Sequence, residues 1–295
     1  MHHFTAIVCS TLSDREDVQN VWGMVLPQIS FSCDYLLHGI LAFSALHIAI
    51  QKSEQSEDYL NCSMLHLHYA LNTYRRSLST ISAQNCISLF AFSSLIVVHV
   101  CALPGADGSG PSTRKAISLF NMCRGVETIL RPYLSLIRES PMKPLFRDDY
   151  HRMDKQLSRS PHSNAILPVD FENRISQLRQ FIAACPLEPG EKSTYLDALL
   201  SLEVSFDIID KATIPLECGM AFAWPIMLPL KFIDFLQENR PLSLVLLSYH
   251  CVTLNRLNKF WFLREWDKAL LTEIWCLIPL DLRSWVEWPK AVCGV

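Results

Sequence analysis

The 295 residues of this chain are half hydrophobic and 19% charged, with a net charge of −3 and a mean hydropathy of +0.18. There is no basic excess, so direct binding to nucleic acid is not expected. Only nine glycines punctuate the chain, which favours long helices over a turn-rich β architecture.

Four helices are predicted in the first 136 residues because apolar residues recur there at the spacing of one helical face. Asp34 can cap the first of these helices. Arg75 and Arg76 suit the negative end of the second. The last three predicted helices run Glu57–Leu78, Cys86–Ala106 and roughly Ser112–Leu134.

The helix predicted at Cys86–Ala106 contains no Lys, Arg, Asp or Glu and is long enough to span a bilayer. It also holds three serines and His99, which are costly against lipid. Basic residues lie on both sides of it, so charge gives no orientation. A helix buried inside a bundle is the better interpretation, and we expect no membrane span.

The composition of the chain changes at the start of its second half. Between Ile137 and Pro168 four prolines stand among charges and serines, which predicts a long polar loop, either functional or disordered. Helical patterns resume at Phe171–Ala184 and Ser193–Lys211, and Cys218–Trp288 adds tryptophan-rich apolar helices. We expect an all-α fold in a single domain. Its parts are N-terminal helices at 1–136, a proline-rich loop at 137–168 and C-terminal helices at 169–295.

The eleven cysteines do not suggest disulfides or a zinc site. Their number is odd, no Cys-x-x-Cys pair occurs, and most of them lie inside apolar runs: Cys62, Cys86, Cys101, Cys123, Cys251 and Cys276. This usage is typical of free, buried thiols in a reducing compartment. A zinc site made from cysteines is therefore not expected.

Other sequence motifs for metals and cofactors are absent or incomplete. His66 and His68 are two apart on a predicted helix, so they point to different faces and cannot share a metal. Asp148, Asp149 and Asp154 resemble an aspartate-rich magnesium motif, but Arg152 replaces an acid, which favours a solvated loop. There is no phosphate-binding glycine loop and no nucleophile elbow. We expect neither a metal nor a cofactor.

Histidines on apolar helices are the remaining polar candidates: His38, His47, His99 and His250. Each of them is more often a hydrogen-bonded residue of the core than a ligand contact. His250 is the most suggestive, because Tyr249 precedes it and Trp261 and Trp266 follow. An apolar pocket with few polar anchors is the usual form of a small-molecule site, although aromatic-rich helix pairs are more often core.

Two blocks of sequence carry a family resemblance. The first includes HHFT at 2–5, VLPQIS at 25–30 and YLLHGILAFSALHIA at 35–49. The second comprises FAWPIMLPLKFIDFL at 222–236, RPLSLVLLSYHCVTL at 240–254, FWFLREW at 260–266 and VEWP at 286–289. In this order they resemble the regulatory domain of fungal binuclear zinc-cluster transcription factors of the sterol uptake control type, without the zinc cluster.

The resemblance implies a helical bundle with a hydrophobic pocket in its C-terminal half that binds a sterol or terpenoid. It also implies a cytoplasmic or nuclear protein, and it allows a homodimer. Family members tend to have glycine in the loop after the tryptophan helix, where this chain has Arg264–Glu265–Trp266. We predict ligand contacts from Trp224, Tyr249, His250, Trp261, Phe262 and Trp266.

Two alternatives stay open from the sequence. An apolar pocket can also hold a substrate for a cofactor-free cyclisation, cycloaddition or isomerisation, which needs orientation and a hydrogen-bond donor rather than a nucleophile. The donors would then be His250, Tyr249 and Arg264. A decayed gene product is the third interpretation, and the even helical patterning argues against it.

Overall fold

The structure is a computed structural model that describes residues 1–146, 171–210, 212 and 215–295. Every regular element in these residues is a helix, which confirms the all-α prediction. The helices are α1 Glu16–Asn20, α2 Leu26–Ser30, α3 Asp34–Gln51, α4 Ser56–Ser77, α5 Cys86–Ala106, α6 Thr113–Leu130, α7 Leu134–Arg138, α8 Phe171–Ala184, α9 Pro189–Asp210, α10 Ala223–Met227, α11 Leu230–Gln237, α12 Pro241–Arg256, α13 Trp266–Leu277 and α14 Arg283–Cys293.

The described residues form two compact units. The first consists of Met1–Gly110, Phe260–Phe262 and the described part of Gly125–Arg152. The second consists of Pro111–Arg124, Leu263–Val295 and the described part of Met153–Lys259. The three-part division predicted from the sequence stays a prediction, and most of its loop at 137–168 lies outside the described residues. Asp148, Asp149, Arg152 and Asp154 also lie outside them.

The first unit is built around α3, which packs against α4 and α5. Glu57 and Asp58 lie in the first turn of α4, and Arg75 and Arg76 lie in its last turn. Acidic residues at the start and basic residues at the end of a helix interact favourably with its macrodipole. Gly39 of α3 lets the ring of Phe92 on α5 approach closely, because an added Cβ would lie 2.8 Å from the ring. The close approach fixes the packing of α3 on α5.

Helix α5 is the one described helix long and apolar enough to cross a membrane, and two thirds of its most apolar stretch is buried within the fold. His99 of α5 is hydrogen-bonded to a neighbouring helix through Nε2, whereas its Nδ1 has no partner. Ser63 Oγ donates to the Ala42 carbonyl at 2.8 Å and lies 3.0 Å from His99 Nε2. A hydroxyl has one hydrogen to donate, so His99 Nε2 is the donor to Ser63. This chain of bonds joins α3, α4 and α5.

Two details of the sequence predictions are wrong. Asp34 is not the cap of α3; it stands inside the first turn, where Cys33 is the cap residue and no side chain bonds the free amides. Cys62 and Cys276 are exposed rather than buried, because each lies on the solvent side of its helix. Cys86, Cys101, Cys123, Cys251 and Cys293 are buried thiols.

The second unit is centred on α12, which is buried at every residue from Leu242 to Leu254 and packs against α9, α13 and α14. The start of α6 is held by Glu273 of α13. Its two carboxylate oxygens accept hydrogen bonds from the backbone N–H and the hydroxyl of Thr113, each at 2.7 Å. An anion at this end of a helix is stabilised by the macrodipole.

Candidate functional site

The second unit contains a small apolar cavity beside the middle of α12. Its walls come from α6, α12, α13 and the turn Cys218–Phe222, and Phe120, Phe222 and Trp266 are its largest rings. The cavity has about 10 Å³ of free volume, which is room for roughly one water molecule. His250 is the one polar side chain in its wall.

His250 is held between aromatic rings and is 1% exposed. Its ring lies 4.8 Å from the Trp224 ring and 5.7 Å from the Phe120 ring, measured between centroids. Its Nδ1 atom has no hydrogen-bond partner. Burial lowers the pKa of His250 to about 3, so the imidazole is neutral at pH 7. A buried polar atom left unpaired costs about 1–3 kcal/mol.

Local structure fixes the position of this imidazole. Proline at the first position of α12 suits the helix start. The indole N–H of Trp224 donates to the carbonyl of Ala198 on α9 at 3.0 Å, which holds the ring that covers His250. The neutral imidazole can donate one hydrogen bond and accept another, so the arrangement suits recognition of one polar group on an apolar molecule.

Trp266 is the first residue of α13 and faces the same cavity. Glu265 before it has φ of 64°, in the left-handed region that favours glycine. Glu265 therefore has a glycine-like backbone within the loop where the resemblance implies a glycine. Glutamate adopts this conformation at a steric cost of about 1–2 kcal/mol.

The structure brings three of the six predicted ligand residues together. Trp224, His250 and Trp266 lie in the second unit at or beside the cavity. Tyr249 does not line it: its ring packs on Trp288 at 5.3 Å, and its hydroxyl has no partner. Arg264, predicted as a donor, is exposed.

Trp261 and Phe262 belong to the first unit and are not part of the cavity wall. The indole N–H of Trp261 donates to Thr11 Oγ1 at 3.0 Å. Its ring stacks on Phe43 and meets the edge of His47, with centroids 5.7 and 5.0 Å away. Trp261 is thus a half-buried packing residue of that unit, although it stands only five positions before Trp266.

The sequence did not point to Phe120 or Phe222 as wall residues. Phe120 lies 130 positions before His250, and helical periodicity shows only that one face of α6 is apolar. It does not show which helix that face will meet. No signal in a single sequence could have found this pair.

Comparison with known proteins covers the two halves of the chain unequally. Residues 1–131 match a family model described as the fungal specific transcription factor domain. The match covers the N-terminal helices and α6, so His250 and Trp266 lie beyond it. The resemblance identified from the sequence is confirmed.

Several curated relatives extend the likeness. Sterol uptake control protein 2 of Candida albicans is 26% identical over 175 residues, which cover 59% of this chain and 24% of the relative. A Zn(2)-C6 fungal-type transcription factor of Gibberella zeae is 22% identical over 306 residues, which cover 98% of this chain and 60% of the relative. The chain therefore spans less than two thirds of the length of these two relatives.

Proposed function

We propose that this chain is a regulatory domain of the fungal zinc-cluster transcription-factor type that binds a lipophilic small molecule of the sterol or terpenoid class. The observation that carries the proposal is His250, a neutral imidazole with an unpaired nitrogen in the wall of an apolar cavity. A hydroxyl-bearing lipid would pair this nitrogen and bury its apolar body among the surrounding rings. The names of the sterol uptake control relatives support the same ligand class.

Binding requires the cavity to expand. Pockets for small molecules have volumes of roughly 300–1,000 Å³, whereas the cavity holds about 10 Å³. Phe120, Phe222 and Trp266 occupy the space beside His250, and a ligand would displace these rings. Ligand binding would then be coupled to a change in the packing of α6 and α13, which is what a regulatory domain needs.

The chain itself is not proposed to bind DNA. It has a net charge of −3, with no basic excess for contacts to phosphate, and no Cys-x-x-Cys pair for a zinc cluster. A nuclear or cytoplasmic location is proposed from the transcription-factor relatives, and a homodimer stays a prediction. Catalysis is less well supported than binding, because Tyr249 and Arg264 do not line the cavity with His250.

The proposal is tested by titrating the chain with dehydroergosterol, a fluorescent sterol whose absorption overlaps tryptophan emission. We expect saturable quenching of tryptophan emission at one sterol per chain. In His250→Phe, which keeps a ring but removes both nitrogens, we expect at least a tenfold weaker affinity.

The matched control is His99→Phe, which changes an equally buried histidine in the first unit. Its sterol affinity should stay within twofold of the parent affinity. Equal affinity in His250→Phe and the parent would overturn the role of the imidazole. Absence of saturable binding to the parent chain would overturn the ligand class.

A further inference from the structure

Helix α4 has one face that is open to solvent along its whole length. Of its 22 residues only Ser63, Leu67 and Ala70 are buried, and they lie on the side from which Ser63 bonds to α3. The opposite side carries a line of exposed residues, which we call the α4 stripe: Asp58, Cys62, Leu65, Tyr69, Asn72 and Arg76.

The spacing of the α4 stripe is that of a helix that packs along a second helix. Its residues follow one another at intervals of 4, 3, 4, 3 and 4 positions, so they fall within about 80° of arc around the helix axis. Leu65 and Tyr69 stand in the middle and are 56% and 54% exposed. A narrow seam with this repeat is how the helices of a two-stranded coiled coil meet.

The charges at the two ends of the stripe indicate what covers it. Asp58 and Arg76 are eighteen positions apart, which is five helical turns and about 27 Å, so they share one line and cannot reach each other. Neither forms an ion pair with another described residue, and the printed hydrogen bonds of Arg76 stay within α4. A line that is acidic at one end, apolar in the middle and basic at the other complements its own reverse.

We propose that α4 docks antiparallel against α4 of a second copy of this chain, about a twofold axis that crosses the stripe near Leu67. Leu65 then packs on Tyr69 of the second copy, and Asp58 pairs with Arg76 of the second copy. Each contact occurs twice, because a twofold interface uses the same patch on both copies. A parallel pair would instead place like charges together at both ends.

This surface gives the homodimer expected from the family resemblance a defined interface. It is independent of the cavity beside His250, since α4 belongs to the first unit and the cavity to the second. A failure of sterol binding would therefore leave the α4 interface standing, and the reverse also holds.

Sedimentation equilibrium of the chain under reducing conditions is the first test. The measured mass should rise with concentration from the 33.7 kDa of one chain to twice that value. Leu65→Glu and Tyr69→Glu should each weaken dimerisation at least tenfold while the helical circular dichroism stays unchanged, because both side chains are exposed. A chain that stays monomeric up to about 100 µM, where a micromolar affinity would give mostly dimer, would overturn the proposal. Undiminished dimerisation in both variants would do the same.

Charge reversal tests the direction of packing. Asp58→Arg and Arg76→Asp each bring like charges together at both ends of the pair and should weaken dimerisation at least tenfold. The double variant restores opposite charges and should dimerise as the parent does. An unrecovered double variant would overturn the antiparallel arrangement.

Matched controls reverse the neighbouring exposed charges. Glu57→Arg and Arg75→Asp alter residues that lie about 100° around the helix from the α4 stripe. Each should change the dimer affinity by less than twofold. A loss equal to that of the stripe variants would show that net charge, rather than the stripe, controls association and would overturn the interface.

A cross-link tests the register. The antiparallel pair places Asn72 opposite Cys62 of the second copy, so the thiol introduced by Asn72→Cys should form a disulfide with that Cys62. Oxidised glutathione is the oxidant and leaves as two reduced molecules. Mass spectrometry of the linked peptides should identify this junction in a covalent dimer. A link between the two Cys62 residues in the parent, or no link at residue 72 in a chain that still dimerises, would contradict the register.

Discussion

His250 and His99 show how two buried histidines with similar pKa shifts differ in their surroundings. Both are fully enclosed, and burial lowers the pKa of His99 to about 4 and that of His250 to about 3. His99 Nε2 donates to Ser63 and so joins three helices, although its Nδ1 has no partner. The Nδ1 of His250 is likewise unpaired, and His250 differs from His99 in lining an apolar cavity. The cost of burying this unpaired nitrogen is one that a bound molecule could offset.

The backbone of Glu265 gives a stability prediction at a single residue. Its φ of 64° is strained for glutamate, so Glu265→Gly should raise the free energy of unfolding by about 1 kcal/mol. Glu265→Ala is the matched control and should give no such gain, because alanine carries the same Cβ penalty. Urea denaturation measures both, and equal stabilisation by alanine would show that the gain comes from lost charge.

At the scale of the element, the packing of α3 on α5 depends on the absence of a side chain at Gly39. Gly39→Ala places a Cβ 2.8 Å from a buried ring carbon of Phe92, so we expect a loss of about 1–3 kcal/mol in unfolding free energy.

The control for this variant is Gly125→Ala in α6, where an added Cβ meets nothing within 4 Å. It should stabilise the chain by about 0.5–1 kcal/mol, since alanine favours a helix. Urea denaturation compares the two, and a gain in Gly39→Ala would show that the Phe92 ring moves aside at no cost.

The contact between α13 and the start of α6 gives a second prediction for the elements. Glu273→Gln keeps the shape of the side chain but removes the charge that accepts two hydrogen bonds from Thr113. We expect a loss of about 1–2 kcal/mol. Because both helices contribute to the cavity wall, thermal unfolding with and without bound sterol measures the effect. No change in the midpoint without sterol would contradict the assignment of this cap.

For the whole molecule, the buried histidines predict how stability depends on pH. His99 and His250 stay neutral in the folded chain because burial lowers their pKa values to about 4 and about 3. They take up protons on unfolding below about pH 6.5. Stability should therefore fall as the pH decreases from 6.5 towards 4, by up to about 1.4 kcal/mol per pH unit for each histidine.

This pH dependence is checked by urea denaturation between pH 7.5 and 5. His99→Phe and His250→Phe should each reduce the number of protons taken up on unfolding at low pH by about one, which makes the dependence of stability on pH less steep. His68→Phe, at an exposed position, should leave this dependence unchanged. A slope that neither buried variant alters would contradict the neutral state of these two residues.

Much of the fold was predictable because helical periodicity is a local property. Cys86–Ala106 was expected and found with the same bounds, and Phe171–Ala184 likewise. The pairing of faces was not predictable, because it depends on how distant helices pack. His38 meets His66 across 28 positions, and Trp261 and Trp266 are separated into different units. The short helices at 16–20 and 26–30 carry too few turns for a clear pattern.

The central claim is that the second unit holds a lipophilic molecule at His250. Native mass spectrometry of the chain purified from a fungal host, followed by extraction and identification of any bound lipid, tests it most directly. We predict one hydroxyl-bearing sterol or terpenoid per chain, absent from His250→Phe purified in parallel. A folded parent chain that carries no lipid and takes up none when fungal sterols are added would contradict the claim.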